Sequence, residues 1–215
     1  MKVFTLVFVI LMLSGIAMAG GEVPMSMGDK AMVFMFDGLA NLSIDGPHPA
    51  GFGMRYYISD GTAIRGLVIV DRYSHVDEAD EEGYADDEHN YTGYGLAAVY
   101  EKHMESMCPS VAPYWGLGAG FEMASDEYVT ATGPDGGTST TTDKGTWFEV
   151  FGALGFEWAF TDCMTLGGEY QLGFWRGSGE TELDSSSGSR SETYDKFSDT
   201  WIGFDTTSVF LSVYF

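Results

Sequence analysis

The sequence predicts an all-β fold, an eight-stranded antiparallel up-and-down transmembrane β-barrel that follows a signal peptide. Three observations carry that prediction. Eight stretches alternate large apolar residues with small or charged ones at the period of two that a strand imposes. Tight turns and long polar segments take turns in connecting them, as in barrels with short turns at one membrane face and longer loops at the other. Beyond residue 19 no apolar run approaches the roughly 20 residues a membrane helix needs, although 45% of the chain is hydrophobic, 15% is aromatic and 29 of the 215 residues are glycine.

The N-terminus is set apart by its own pattern. Lys2 gives a positive start, Val3 to Leu13 is an almost unbroken apolar run, and Ala17-Met18-Ala19 is a small-x-small cleavage site. Residues 1–19 therefore read as a secretory signal peptide. Their apolar core is about half the length of a spanning helix, and no cysteine follows the cleavage site, which argues against a lipoprotein anchor. Residues 20–28 (GGEVPMSMG) read as a short flexible leader, and residues 29–215 as the barrel. The formal charge of −22 disfavours nucleic acid and anionic membrane surfaces as partners.

The first strand, Lys30 to Ser43, sets Met32, Phe34 and Phe36 against Val33, Met35 and Asp37, and Asp45-Gly46-Pro47 ends it. Gly51 to Ser59 alternates Phe52, Met54, Tyr56 and Ile58 with Gly53, Arg55 and Tyr57, then meets Asp60-Gly61, a tight-hairpin signal. Thr62 to Tyr73 follows, with Ile64, Val68 and Val70 opposite Arg65 and Asp71. Residues 75–90 hold eight carboxylates and read as a solvated loop. Tyr91 to Met104 alternates Tyr94, Leu96, Ala98 and Tyr100 with Gly93, Gly95, Glu101 and His103. Residues 107–111 are a short turn. Pro113 to Met123 sets Trp115, Leu117, Phe121 and Met123 against Gly116, Gly118, Gly120 and Glu122. Residues 125–145 read as a second polar loop. Trp147 to Phe160 and Met164 to Trp175 repeat the pattern around a turn at Thr161 to Cys163, with Glu149, Glu157 and Glu169 on the faces opposite the large apolar sets. Residues 176–203 read as a third polar loop, and Thr207 to Phe215 as the last strand, with Val209, Leu211, Val213 and Phe215 on one face and Ser208, Phe210, Ser212 and Tyr214 on the other.

The two faces decide which way the barrel turns. A face of glycine and glutamate cannot line an apolar ligand cavity, but it suits the narrow interior of an eight-stranded barrel. The large apolar residues then face lipid, with Trp115 and Trp158 near the short-turn end in the position of an interfacial girdle. The alternation of short and long connections has one exception, near residues 44–50.

The signal segment, the eight alternating strands, the segments YISDGTAIRG (57–66) and APYWGLGAGFE (112–122), and the terminal SVFLSVYF (208–215) resemble the small outer-membrane β-barrel superfamily that includes the OmpA transmembrane domain, OmpX and OmpW. The resemblance covers residues 29–215. It implies location in the outer membrane, contact with its lipid and with lipopolysaccharide, and a final strand read by the barrel-assembly machinery, at positions matched here by Val209, Leu211, Val213 and Phe215. The tyrosine usual two residues before the terminal phenylalanine is replaced by Val213.

The candidate site residues are the inward charges Arg55, Arg65, Glu101, His103, Glu122, Glu149, Glu157 and Glu169. They are expected to form a structural salt-bridge network that fills the lumen, with an ion path as the alternative. Cys108 and Cys163 fall in two short turns at the same end, and an oxidising compartment would favour a disulfide between them. The acidic stretch 77–88 lacks the spacing of a calcium loop. No nucleophile signature accompanies the four histidines, so neither an enzyme nor a cofactor is expected. The expected function is that of a monomeric barrel with a structural or surface-interaction role. A narrow porin or small-solute conduit is the alternative, and a lipid-modifying enzyme the third reading.

Overall fold

A computed structural model describes residues 21–37, 50–77, 86–131, 138–185 and 189–215. The signal-peptide reading of residues 1–19 lies outside the described residues. Eight strands form one sheet: β1 (Lys30–Asp37), β2 (Ala50–Ser59), β3 (Thr62–Asp77), β4 (Asp87–His103), β5 (Val111–Ala131), β6 (Thr138–Thr161), β7 (Met164–Ser185) and β8 (Ser189–Tyr214). Each is antiparallel to the next, and β1 closes the ring against β8: Met32 lies opposite Met54 on one side and Val213 on the other. Closure satisfies the backbone donors and acceptors that an open edge would leave unpaired. An all-antiparallel, closed, up-and-down ring of eight strands is the architecture of the smallest transmembrane β-barrels.

The strand period sorts the side chains as the sequence predicts. Inward residues are buried, among them Arg55, Arg65, Glu101, Glu157, Phe210 and Ser212, each at 0% exposure. Outward residues are large, apolar and open, with Leu117 at 61% and Leu154 at 67%. On β6 the outward apolar series runs from Phe148 to Trp158, a span of roughly 25 Å along the axis at ordinary strand rise and barrel tilt. The fold is thus inside out relative to a soluble protein, with its charges buried and its hydrocarbon outside.

Three expectations change. The polar segments at 125–145 and 176–203 are largely strand, since β5 and β6 stay in register out to Ala131↔Thr138, and β7 and β8 out to Ser185↔Ser189. The stretch 75–90 is also shorter as a loop, because His75 pairs with His89 and Asp77 with Asp87. Above the apolar band both faces of a hairpin meet water, so the apolar–polar alternation fades. The Thr-rich run 138–142 still favours strand and keeps pairing. The first strand is followed from Lys30 to Asp37, and its expected continuation to Ser43 falls within residues 38–49, which lie outside the described residues. Antiparallel pairing puts the β1–β2 connection at the same end of the barrel as those after β3, β5 and β7, and the expected exception near 44–50 lies outside the described residues. Of the acidic stretch 77–88, residues 78–85 lie outside the described residues.

The third change concerns the leader. Residues 21–28 are fixed across the short-turn end of the ring. Val23 N–H donates to the Pro109 carbonyl (3.3 Å), Gly61 N–H to the Met25 carbonyl (2.7 Å) and Gly28 N–H to the Tyr57 carbonyl (2.9 Å). Gly61 sits at a φ of 64°, the left-handed conformation that a tight Asp-Gly turn requires and that glycine adopts without strain. Val23, at 2% exposure, packs with Ala112 and Ala159, and Met25 also covers the buried cluster of Ala31, Tyr57, Ala63 and Tyr214. The segment is a floor, held because the apolar Val23 and Met25 find small residues beneath the turns. Val23→Asp is expected to release it, at a cost of about 1.5–3 kcal/mol in lost burial. Limited proteolysis should then cut within residues 21–28 while heat-modifiable migration persists, and unchanged protection would remove the floor assignment.

Candidate functional site

The lumen is built in layers from the floor upward. Above Val23 and Met25 lies a ring layer in which the Tyr57 hydroxyl is 3.2 Å from His103 Nε2 and 3.5 Å from the Tyr214 hydroxyl. Next comes Arg55. Its Nε donates to Glu101 Oε2 at 2.7 Å and its Nη1 to Glu157 Oε1. Arg65 follows, with Nε 2.9 Å from Glu101 Oε1 and Nη2 donating to Glu169 Oε2 at 2.7 Å. Its guanidinium also stacks 4.8 Å from the Phe210 ring centroid. β2, β3, β4, β6 and β7 each supply one charge of this cluster.

Two guanidinium groups meet three carboxylates here, so hydroxyl donors complete the balance. Glu157 accepts from Thr165 Oγ1 (3.0 Å), Ser212 Oγ (3.0 Å) and the Tyr214 hydroxyl (3.1 Å). Glu169 accepts from the Tyr114 hydroxyl and from Gln171 Nε2, both at 2.7 Å. His103 Nε2 lies 3.6 Å from Glu101 Oε2. Charged groups out of water are tolerable only when paired and hydrogen-bonded in this manner. With Arg55, Arg65, Glu101 and Glu157 at 0% exposure, the bore at this level is filled by side chains, as the radius of eight strands leads one to expect.

Six of the eight charges expected in one network, Arg55, Arg65, Glu101, His103, Glu157 and Glu169, come together. Glu122 and Glu149 do not join them. They sit higher, where the Tyr91 hydroxyl donates to Glu122 Oε1 (3.2 Å) and Trp175 Nε1 to Glu149 Oε2 (2.7 Å). The expected disulfide is not formed. Cys108 and Cys163 are free and exposed, each with a hydroxyl of its own turn beside it, Ser110 Oγ at 3.1 Å and Thr161 Oγ1 at 3.7 Å. The residues of the terminal strand lie as expected: Val209, Leu211 and Val213 are on the outer side, Phe215 is exposed at 71%, and Ser208, Phe210, Ser212 and Tyr214 are buried.

Glu122 and Glu149 belong to a chamber of about 590 Å³ in the upper lumen. Asp71, Asp126 and Asp143 complete its carboxylates, and Tyr91, Trp147, Trp175 and Phe197 supply rings to its wall. Trp201 lies beside Trp175, with ring centroids 4.7 Å apart and planes tilted by 38°. Its inward position follows from an irregularity in the ladder. Between Tyr170↔Thr207 and Leu172↔Phe204, β8 carries one residue more than β7, and such a bulge exchanges the two faces. Even-numbered residues of β8 point inward below it. Above it the odd-numbered Trp201 does.

These aromatic residues were not among the expected site residues, yet a sequence signal marks them. Gly145 and Trp147, Gly173 and Trp175, and Trp201 and Gly203 each stand two apart on one strand, hence on one face. At the outer rim, beyond the apolar band, the hydrogen bond from Lys144 Nζ to Glu182 Oε2 (2.9 Å) raises the ammonium above the usual lysine range. Desolvation, and then Asp126, raise the Tyr128 phenol. His89 stacks on Tyr128 at 4.1 Å and lies 2.7 Å from Asp126 Oδ1.

Comparison with protein families finds no match, and comparison with curated proteins finds none either. Among solved structures, the chain is similar to the crystal structure of Ail, the attachment invasion locus protein of Yersinia pestis, at 11% identity and a TM-score of 0.40, covering 88% of this chain and 99% of that one.

Proposed function

We propose that this protein is a monomeric, non-enzymatic integral barrel of the outer membrane, whose role is structural and interactive: it presents polar hairpins and acidic loops at the cell surface. The observation that carries this reading is the inverted polarity of a closed ring. Leu96, Leu117, Leu154 and Leu172 stand outward and open, while two arginines and three glutamates are buried and paired inside. Water would not support that arrangement, because it leaves an apolar belt far larger than soluble monomers expose. Lipid would. In this reading the belt meets outer-membrane lipid, the rim meets lipopolysaccharide, and the strand ending at Phe215 is the segment engaged by the barrel-assembly machinery. The filled bore at Arg55 and Arg65 favours a closed barrel over a solute conduit.

The test combines fractionation with electrical recording. The protein is expected in the outer-membrane fraction, heat-modifiable in migration and cleavable by external protease in its long loops, and it should show no discrete conductance steps in a planar bilayer. Recovery in the soluble periplasmic fraction would overturn the membrane placement. Reproducible ion-selective steps would replace the surface role with that of a narrow porin.

A further inference from the structure

The upper chamber is furnished in a way that neither membrane insertion nor a closed bore requires. Its rings lie against the inner wall on positions where the wall has no side chain. A Cβ at Gly173 would fall 2.7 Å from the Trp175 ring, and one at Gly203 within 2.7 Å of the far edge of Trp201. Cβ atoms at Gly145 and Gly177 would both strike Trp147, and one at Gly179 would strike Phe197. Glycine weakens a strand interior, and here it lets four rings lie over the sheet.

Rings over glycine can serve sheet packing anywhere in a barrel. What singles out this group is what stands between the rings. Five carboxylates, Asp71, Glu122, Asp126, Asp143 and Glu149, line the same chamber, and among the described residues lining it none is a lysine or arginine. Of the basic groups near this level, Lys144 bonds Glu182 at the rim, and His89 engages Asp126, one of the five carboxylates. Aromatic faces carry negative quadrupole potential, and carboxylates carry full negative charge. Both attract a cation, and the rings attract in addition a cation's apolar substituents.

From this geometry we infer that the upper lumen is a binding chamber for an organic ammonium ion, an amine or quaternary ammonium with an apolar body. A metal ion is the poorer match, because among the described residues no group of three or more histidine, cysteine or carboxylate side chains is arranged to hold one. The chamber's volume of about 590 Å³ is that of a small-molecule pocket. Its lower boundary is the filled arginine and glutamate layer, so the ligand enters and leaves from the outer side. The site is a receptor and not a passage. It rests on the barrel fold and not on the membrane or surface role proposed above.

The probe is benzyltrimethylammonium, titrated into the folded protein in detergent micelles and followed by indole fluorescence and calorimetry. Benzyl alcohol and benzoate serve as the neutral and anionic counterparts. Saturable quenching by the cation alone is expected. The double variant Asp143→Asn, Glu149→Gln should weaken binding at least about tenfold, and Trp147→Leu should weaken it several-fold. Trp147→Phe, which keeps a ring, should bind nearly as the parent does. Glu88→Gln, on the outer face of β4, should leave binding unchanged.

Heat-modifiable migration verifies that each variant is folded, and Glu122→Gln replaces any carboxylate variant that is not. Equal binding of benzyl alcohol would overturn the inference. So would binding indifferent to the carboxylate replacements, or weakened as much by Glu88→Gln, which would mark plain attraction to an acidic protein. Because the assay is done in micelles, its outcome is independent of where the protein resides in the cell.

Discussion

Arg55→Met is expected to destabilise the barrel by about 3–5 kcal/mol, the usual consequence of removing one partner from a buried ion pair. Arg55 is the only guanidinium that reaches Glu157 among the described contacts, and it shares Glu101 with Arg65. Without it, Glu157 keeps three hydroxyl donors, Thr165, Ser212 and Tyr214, but no opposing charge. The measurement is the urea midpoint of the refolded protein, read by heat-modifiable migration. The double variant Arg55→Met, Glu157→Gln should recover much of the loss, because it removes the stranded charge along with its partner. An Arg55→Met midpoint equal to that of the parent would show that the cluster is not what fastens the lower lumen.

Leu117→Arg is expected to cost about 2–4 kcal/mol when the protein is folded in a bilayer, as for a cation placed near the lipid midplane of other barrels. Leu117 lies midway along the outward series of β5 and is 61% exposed. On a water-facing surface the same change would be worth within about 0.5 kcal/mol. Ser125→Arg, also outward on β5 but above the apolar band, should cost only about 0–1 kcal/mol. Equilibrium unfolding in vesicles measures both. Equal effects at the two positions would contradict the orientation of the barrel in lipid.

How much of this could be read in the residues depends on what each face must do. On β4 to β7 the lumen side is glycine and glutamate while the outer side is leucine, phenylalanine and tryptophan, so one glance at the alternation assigns both. On β1 it does not, because Met32, Val33, Phe34 and Met35 are all apolar. Here Val33 and Met35 pack inward against Leu67, Tyr114 and Phe210, and only pairing with β2 and β8 separates the faces. Periodicity also gives the face of a residue and not its height. Glu149 and Glu157 share a face of β6, yet one bonds an indole in the upper chamber and the other an arginine in the lower cluster. The single extra residue of β8 between Phe204 and Thr207 was illegible for a related reason. A bulge changes parity without changing composition, so Trp201 fell in what reads as loop. The floor was missed because GGEVPMSMG has a linker's composition: only Val23 and Met25 anchor it by apolar packing, and the rest of its hold is hydrogen bonding by backbone groups.

That floor has a bearing on the order of events during folding. Met32 and Val213 pair across nearly the entire length of the chain, so ring closure is the contact of greatest sequence separation and the slowest to be reached entropically. Residues 21–28 touch the turn after β2 at Gly61 and the turn before β5 at Pro109, and Gly21 sits against the Thr161 carbonyl of the turn after β6. Those three turns are in place together only once the ring is complete, which makes the segment a latch that engages last. A contact absent from the transition state leaves the folding rate alone and slows unfolding. Residues 21–28 thereby govern how long a finished barrel lasts and not how quickly it is made.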